Sequence, residues 1–466
     1  MAARSRLLDR MDFVLFWGLI VMIAWAPLPL ASNRLWSWSL LGIGAALLVA
    51  LWALVRALDP GRFPPWRSAL TVPAILYAFV AAVVVLQATC LPVAEWGHPV
   101  WRLVAEDTCA SISVERNMTW TALGRLLTYG ATFWIALQVG ASSQRAKQLL
   151  AMITFSIAAY AAYGLVIHFL GIKPTLFFET WEDSGYVTST FVNRNSFAAF
   201  AGMGLMASVG RLLDRTIDAT GDGRTKPMRA ASMAAAELYP YVLAAVLCLA
   251  AVVLTASRAG MAATMAGLIV LSAATCLHHR AHWKWWAASS AVVVLMSIFV
   301  VVGGGGRLIE RVERADEDFG SRQVVIGQTL RGSLEHPWLG VGFGTFEDAW
   351  PAYRPAGADL WFRRAHSTYA ENLLELGFPA MLALTVSVGW ILAVCARGLV
   401  RRRRNGIYPI VAFAAVSVPV LHSTIDFSLQ MPALAFVVSA LLGLGFIQSF
   451  SSRQQTPQDQ PGKATR

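Results

Sequence analysis

The sequence reads Ser321-Arg322-Gln323, then His336-Pro337-Trp338-Leu339-Gly340-Val341-Gly342-Phe343-Gly344, and then Ala365-His366-Ser367-Thr368-Tyr369, all between residues 304 and 377. This polar and aromatic stretch interrupts a chain that is otherwise strongly apolar. Loops of this length within a compact protein are usually functional or disordered. The many Trp, Phe and Tyr residues and the scarcity of low-complexity runs indicate a folded loop. We expect the apolar segments around it to hold this loop in place.

The composition is that of a membrane protein. Of the 466 residues, 56% are hydrophobic and 14% are charged, whereas soluble domains carry about 25% charged residues. The mean hydropathy is +0.55, and apolar runs of about 18 to 25 residues recur along the whole chain. These features predict an all-α polytopic membrane protein without a separate soluble domain. The net charge of +11 is attributed to basic cytoplasmic loops, and no nucleic-acid partner is expected.

Twelve apolar segments are predicted to be transmembrane helices. They cover residues 11–30, 35–55, 68–90, 119–140, 149–171, 196–213, 239–255, 261–277, 285–302, 367–396, 408–421 and 431–450. The predicted organisation therefore comprises transmembrane helices 1–9 in residues 1–303, one large loop in residues 304–366, and helices 10–12 in residues 367–450. The polar tail, residues 451–466, is predicted to be disordered.

Lysine and arginine residues are concentrated in alternate connections between the predicted spans. The basic connections are the N-terminus, residues 56–67, residues 145–147, residues 211–229, residues 280–284 and residues 401–404. The positive-inside rule places these connections and both termini in the cytoplasm. The large loop and the other motifs described below then share the opposite, extracytoplasmic side.

The five cysteines fall into two groups. Cys248, Cys276 and Cys395 lie in apolar runs and are interpreted as buried small hydrophobic residues. Cys90 and Cys109 border a polar loop on the extracytoplasmic side. Two alternatives remain open for this pair, a disulfide and two separate thiols.

Three arginines on the extracytoplasmic side are candidate anion ligands. Arg258 lies in a short turn between two apolar helices, where a guanidinium either pairs with an anion or reaches the interface. Arg322 follows Ser321, which is predicted to cap a helix over residues 323–334. A phosphate at such a helix start would bind backbone N–H groups as well as the guanidinium. The alternative for Arg322 is a surface charge. Arg194, between Asn193 and Asn195, occupies the same side.

His366 is the candidate general base, because it lies where the large loop meets the next span. Unperturbed imidazole titrates near 6.5, which suits proton transfer at neutral pH. The alternative is a structural histidine. The glycine-rich segment 340–344 lacks the strand and helix of a dinucleotide site and is interpreted as a set of sharp turns. His278, His279 and His282 are interpreted as part of a basic interfacial cluster. No metal site is predicted.

Four motifs occur in order along the chain: 191–198, 255–260, the stretch from 321 through 336–344 to 366–377, and 422–427. Together they resemble the O-antigen ligase/polymerase superfamily of bacterial membrane glycosyltransferases. The motifs extend from residue 191 to residue 432, whereas the first five predicted helices agree with the family only in hydropathy. The resemblance implies a GT-C-like membrane fold with short helices in a large periplasmic loop.

The resemblance implies a lipopolysaccharide O-antigen ligase of the bacterial inner membrane. Such an enzyme transfers a glycan from undecaprenyl diphosphate to a sugar hydroxyl of lipid A-core in the periplasm, without a metal or another cofactor. Its other partners would be membrane lipids. By motif, the functional residues of the family fall on Arg258, Arg322 and His366, with Arg194 as a further diphosphate ligand. Ser367 departs from the family, in which asparagine is commoner after the histidine.

Other functions fit parts of the same pattern. An O-antigen polymerase and a protein O-oligosaccharyltransferase would use the same donor with different acceptors. The ligase is preferred because one large loop dominates and no second large outer domain is present. A secondary transporter fits twelve spans but usually shows an internal repeat. The sequence does not indicate the glycan structure, the accepting sugar or the oligomeric state.

Overall fold

The computed structural model describes residues 2–93, 95, 97–103, 109–172, 185–191, 193–221, 228–279, 309–355, 361–402 and 405–450. Its α-helices are α1 (Ala2–Trp25), α2 (Leu35–Leu58), α3 (Thr71–Ala88), α4 (Arg116–Val139), α5 (Ser143–Phe169), α6 (Arg194–Gly221), α7 (Met228–Leu254), α8 (Arg258–His279), α9 (Ile309–Glu335), α10 (Phe346–Tyr353), α11 (Thr368–Arg401), α12 (Ile407–His422) and α13 (Pro432–Gln448). Short 3-10 segments occur at Leu30–Ser32, Ser68–Leu70, Pro99–Leu103 and Ser428–Gln430. The predicted ninth span, 285–302, and the tail, 451–466, lie outside the described residues.

Seven helices of the described chain are long and apolar enough to cross a membrane, judged by length and composition. They are Leu35–Leu58, Ser68–Ala88, Ser143–Phe169, Arg194–Asp214, Ala236–Leu254, Arg258–His278 and Thr368–Arg401. Two further helices, α12 and α13, are apolar but shorter. The architecture is that of an all-helical polytopic membrane protein, and the number of twelve spans stays a prediction.

Two helices form the interior of the bundle. Every residue of α13 is buried, and α6 is largely buried between residues 194 and 214. A helix that is apolar on all sides belongs in an interior. α13 packs chiefly against α4 and α12, while α6 packs against α7, α8 and α12. The apolar helices α2, α3 and α7 have few buried residues and therefore supply the surface suited to lipid.

Small residues allow these helices to approach closely, as is common in membrane bundles. Gly443 of α13 lies against the backbone of Phe133 in α4, and Gly204 of α6 lies against Ile157 and Cys248. A larger side chain at either glycine would collide with the neighbouring helix. The inner layer thus depends on the absence of a side chain at these positions.

One end of the bundle gathers basic and acidic residues from α1, the α2–α3 connection and the first turn of α5. Arg62 binds Asp9 at 2.9 Å, and Arg145 binds Asp12 at 2.9 Å. These pairs join α1 to the α2–α3 connection and to the start of α5. α4 runs from this end to the other, where its Ala122 contacts Gly344 of the large loop. The large loop and the basic connections therefore lie at opposite ends of the bundle.

The large loop differs from the prediction at Arg322. α9 begins at Ile309, so Ser321 lies inside a 27-residue helix and the predicted helix start at residue 321 is wrong. No proline occurs between residues 309 and 321, and Gly320 alone costs a helix only about 1 kcal/mol. Nothing there ends or begins a helix. The predicted binding of phosphate by N–H groups of a helix start is therefore wrong for Arg322, since only N-terminal N–H groups lack partners.

The loop between α3 and α4 is closed by a disulfide. Cys90 and Cys109 are bonded, with a Cα–Cα distance of 5.5 Å. Nη1 of Arg116 lies 2.7 Å from Sγ of Cys109. Of the two alternatives left open by the sequence, the structure contains the disulfide. The other three cysteines are buried thiols, which confirms their interpretation.

We expect Gly443→Val to lower the stability of the bundle by about 1–3 kcal/mol, because an overpacked interior forces helices apart. Gly389→Val is the matched control, since a Cβ at Gly389 would meet no described atom within 4 Å. Thermal unfolding of the purified proteins in detergent measures the difference. Equal melting temperatures for the two variants would contradict the inner position of α13.

Candidate functional site

Arg258 is the first residue of α8 and follows a tight turn, as predicted. Oγ of Ser257 accepts a hydrogen bond from the backbone N–H of Gly260 at 3.1 Å, which caps the helix start. Gly260 contacts Ala198 of α6. The Arg258 side chain is exposed. The turn thus presents an exposed guanidinium beside the first turns of α6.

The start of α6 carries the Asn193-Arg194-Asn195 motif. Oδ1 of Asn193 accepts hydrogen bonds from the backbone N–H groups of Asn195 at 2.7 Å and Ser196 at 3.3 Å. The guanidinium of Arg194 lies 4.2 Å from the ring centroid of Tyr186, a cation–π distance. The motif therefore fixes the helix start through Asn193 and orients Arg194 through an aromatic ring.

His366 occupies the turn before α11, the helix-start setting that the sequence predicts. Its φ is +53°, a left-handed conformation that costs a residue other than glycine about 1–3 kcal/mol. Ser367 caps α11 by accepting a hydrogen bond from Ala370 N–H. The half-buried imidazole meets the rings of Phe362 and Phe427 at centroid distances of 5.9 and 5.4 Å. Two aromatic rings thus hold the imidazole in place.

The turn that contains His366 is held by a buried carboxylate. Glu371 is fully buried, and its two oxygens accept hydrogen bonds from Ala365 N–H at 2.8 Å and from Nη1 of Arg364 at 2.9 Å. Burial alone lowers the pKa of Arg364, but Glu371 and Glu375 raise it above its ordinary value. The arginine therefore stays charged, and the pair fixes the residues that precede His366.

The segment 422–427, between α12 and α13, contacts two of the other motifs. Oδ2 of the buried Asp426 accepts a hydrogen bond from Nδ2 of Asn195 at 2.7 Å. The backbone carbonyls of Ser423 and Asp426 lie 3.0 and 3.2 Å from the N–H of Thr368. Phe427 contacts the ring of His366. The segment thus ties the start of α6 to the start of α11.

His422 connects the same segment to α9. The residue is buried, and its Nδ1 lies 2.7 Å from Oγ of Ser428. Both Asp426 and Arg322 lie near enough to His422 to influence its charge. Arg322 is half-buried. The structure therefore brings Arg322 and His366 to this segment. Arg194 precedes Asn195, which binds the segment, and Arg258 begins α8, which packs on α6.

The glycine-rich segment 340–344 forms turns, as the sequence predicts. Gly340 and Gly342 have φ values of +62° and +112°, and both pack tightly, Gly340 on the backbone of Glu375 and Gly342 on Ser113. Gln87, at the end of α3, donates to the carbonyl of Glu375 at 2.7 Å and accepts from Phe343 N–H at 3.0 Å. The segment is therefore clamped between α3 and α11.

No role was predicted from the sequence for Glu371, Glu375, His422 or Asp426. A signal was present for the first two, because acidic residues four positions apart at the start of an apolar helix need buried partners. His422 and Asp426 lie in a short polar segment between two apolar helices, which is another such signal. These residues complete the candidate site by holding its chain segments together.

A family model described as O-antigen ligase matches residues 243–385. The match runs from α7 into α11 and includes Arg258, Arg322 and His366, but neither Arg194 nor segment 422–427. No curated protein gives a significant match to the chain. The family match confirms the resemblance to the O-antigen ligase/polymerase superfamily, whose members are membrane glycosyltransferase-like enzymes.

We expect Glu371→Ala to destabilise the protein by about 3 kcal/mol, because it leaves the Arg364 charge and the Ala365 N–H without their acceptor. Glu347→Ala is the matched control, since Glu347 pairs with Arg363 on the exposed surface and such pairs contribute little. Thermal unfolding in detergent measures both variants. A Glu371→Ala protein as stable as the control would contradict the role of this carboxylate.

The stability of the protein is predicted to depend on pH through His98 and His336. Burial, and secondarily His336, lower the pKa of His98 to about 4, and burial lowers the pKa of His336. Unfolded histidine titrates near 6.5, so the unfolded chain binds protons first. The neutral rings therefore make their full contribution to stability above pH 6.5. This contribution is lost as the pH falls from 6.5 through about 4.

The melting temperature of the wild-type protein is expected to fall between pH 7 and pH 5, and His98→Gln is expected to reduce that fall. His168→Gln, on the outer end of α5, serves as the control and should retain the wild-type dependence. A His98→Gln protein with the full wild-type dependence would show that this pair of rings does not cause it.

Proposed function

We propose that the chain is an O-antigen ligase that transfers a polysaccharide from undecaprenyl diphosphate to a sugar hydroxyl of lipid A-core. One observation carries the proposal. Asn195, Thr368 and His366 contact segment 422–427, Arg322 lies near its His422, and Arg258 starts a helix that packs on α6 beside it. The family match over residues 243–385 supports the same class of reaction.

The arginines supply the chemistry that a diphosphate requires. A guanidinium is planar and presents N–H donors in a fork that matches phosphate oxygens. Arg258 is exposed and Arg322 is half-buried, so both are accessible to a ligand at this end of the bundle. The guanidinium of Arg194 lies over the ring of Tyr186 and is half-buried. We assign the three side chains to diphosphate binding.

His366 is assigned the role of general base. An acceptor hydroxyl attacks the anomeric carbon, the bond from this carbon to the phosphate oxygen breaks, and the hydroxyl proton passes to the imidazole. The electron pair of the broken bond stays with the diphosphate, where the arginines stabilise the added charge. A single displacement inverts the anomeric configuration. General-base assistance contributes about 10²–10⁴-fold to such rates.

The proposed orientation places the site in the periplasm. The ion pairs of Arg62 and Arg145 lie at the end of the bundle opposite the large loop. Basic connections remain preferentially in the cytoplasm. We therefore infer a multi-pass protein of the bacterial inner membrane, with both termini in the cytoplasm. The lipid-linked donor would reach the site from the outer leaflet.

Complementation of a strain that lacks its own O-antigen ligase tests the function, scored by the lipopolysaccharide ladder on a gel. We expect the wild-type gene to restore the ladder, and His366→Ala and Arg322→Ala to reduce transfer at least about 100-fold. His168→Ala and Arg331→Ala are the matched controls, since Arg331 lies exposed on the same helix as Arg322.

The possible outcomes distinguish the proposed function from its alternatives. Full transfer by a well-inserted His366→Ala protein would refute the role of the imidazole. A missing ladder with well-expressed wild type and its native donor and acceptor pathways would instead favour the polymerase or the protein O-oligosaccharyltransferase. Substrate flux without glycan transfer would indicate a transporter.

A further inference from the structure

A cavity of about 430 Å³ lies beside the disulfide, at the outer ends of α3 and α4. Its volume falls within the range of about 300–1,000 Å³ that small-molecule sites occupy. The cavity is lined by, among others, the side chains of Thr89, Trp101, Glu115, Arg116, Asn117 and Trp120. None of these residues has a role in the proposed transfer chemistry.

The cavity has a fixed wall. Nε1 of Trp101 donates a hydrogen bond to the carbonyl of Ser113 at 2.9 Å. The guanidinium of Arg116 lies 5.0 Å from the centre of the Trp101 ring and also contacts Sγ of Cys90 and Cys109. The disulfide, the arginine and the indole thus form one connected unit. Trp120, another residue of the lining, is 45% exposed.

The lining suits an uncharged polyol. Indole rings offer flat apolar faces that pack against the C–H faces of a sugar ring. Glu115, Asn117 and Thr89 offer oxygen and nitrogen atoms of the kind that hydrogen-bond hydroxyl groups. The carboxylate of Glu115 offsets the charge of Arg116, so the cavity has no excess positive charge to attract phosphate. A saccharide satisfies all three features.

The cavity adjoins the large loop. Val114 N–H donates to the carbonyl of Val341 at 2.9 Å, and Ser113 contacts Gly342. The glycine-rich segment 340–344 is in turn clamped to Glu375 of α11, the helix that starts beside His366. A ligand in the cavity would therefore lie along the same loop that ends at the proposed general base.

We propose that this cavity binds one sugar unit of a saccharide substrate, with Trp120 as the stacking platform and Asn117 as a hydrogen-bonding group. Assignment of that sugar to the lipid A-core acceptor rests on the proposed function. The binding of a saccharide in the cavity does not rest on the proposed function.

Direct binding is measured with the full-length His366→Ala protein in detergent, which removes turnover. The probe is core oligosaccharide released from lipopolysaccharide by mild acid, with binding followed by saturation-transfer NMR. We expect Trp120→Ala and Asn117→Ala, each added to this background, to weaken binding about tenfold. The matched control is Trp36→Ala, because Trp36 is 49% exposed at the outer end of α2.

Steady-state transfer by the otherwise wild-type protein supplies the second readout. Trp120→Ala is expected to raise the acceptor KM about tenfold and to leave kcat nearly unchanged, because the residue binds the acceptor away from the reacting atoms. Unchanged oligosaccharide affinity in the Trp120→Ala protein would overturn the proposal. Displacement of the oligosaccharide by inorganic phosphate, or saturable binding only to phosphatidylglycerol vesicles, would also overturn it.

The two proposals fail in different ways. Trp120-dependent oligosaccharide binding without any glycan transfer by the wild type would refute the ligase reaction and leave the saccharide site standing. Transfer that depends on His366 but not on Trp120 would refute the saccharide site alone.

Discussion

Two buried carboxylates on α11 determine where the large loop lies. Glu371 and Glu375 are almost completely buried, and a charge in such surroundings is very costly unless it is paired. Glu371 binds Arg364 and the N–H of Ala365, whereas Glu375 accepts from the N–H of Phe346 at 2.9 Å. Since Phe346 and Ala365 both bind to one helix, this part of the loop and the start of that helix form one unit. The position of His366 is a consequence of these contacts of Glu371 and Glu375.

This arrangement explains why the strained backbone at His366 persists. A left-handed turn at a histidine survives only if the surrounding contacts determine it. Glu371 holds the residue before the turn, and the cap on α11 holds the residues after it. A second backbone break at Gly377, with φ of +73°, separates the first turns of α11 from its apolar part. α11 therefore consists of two helical pieces that meet at a kink at Gly377.

The sequence was sufficient for features that depend on local chemistry. Apolar runs predicted the helical membrane fold, and the turns at Arg258 and Gly340 and the helix start after His366 were predicted from neighbouring residues. The start of α9 was missed, because no residue between 309 and 321 ends or caps a helix unambiguously. The partnership of Asn195 with Asp426 was also missed, since the two residues are 231 positions apart. A single sequence contains no signal for such long-range pairing, and the same limit left the disulfide undecided.

The distribution of the site over the chain has a consequence for what residues 243–385 can do by themselves. This segment contains Arg258, Arg322 and His366, but the groups that bring them together lie outside it. Asn195 comes from α6, and Asp426 and Phe427 come from the connection between α12 and α13. α6 and α13 are also the most buried helices of the bundle. The interior helices therefore serve as the scaffold that brings the start of α6 and segment 422–427 to the large loop, and the position of His366 in the matched segment depends on them.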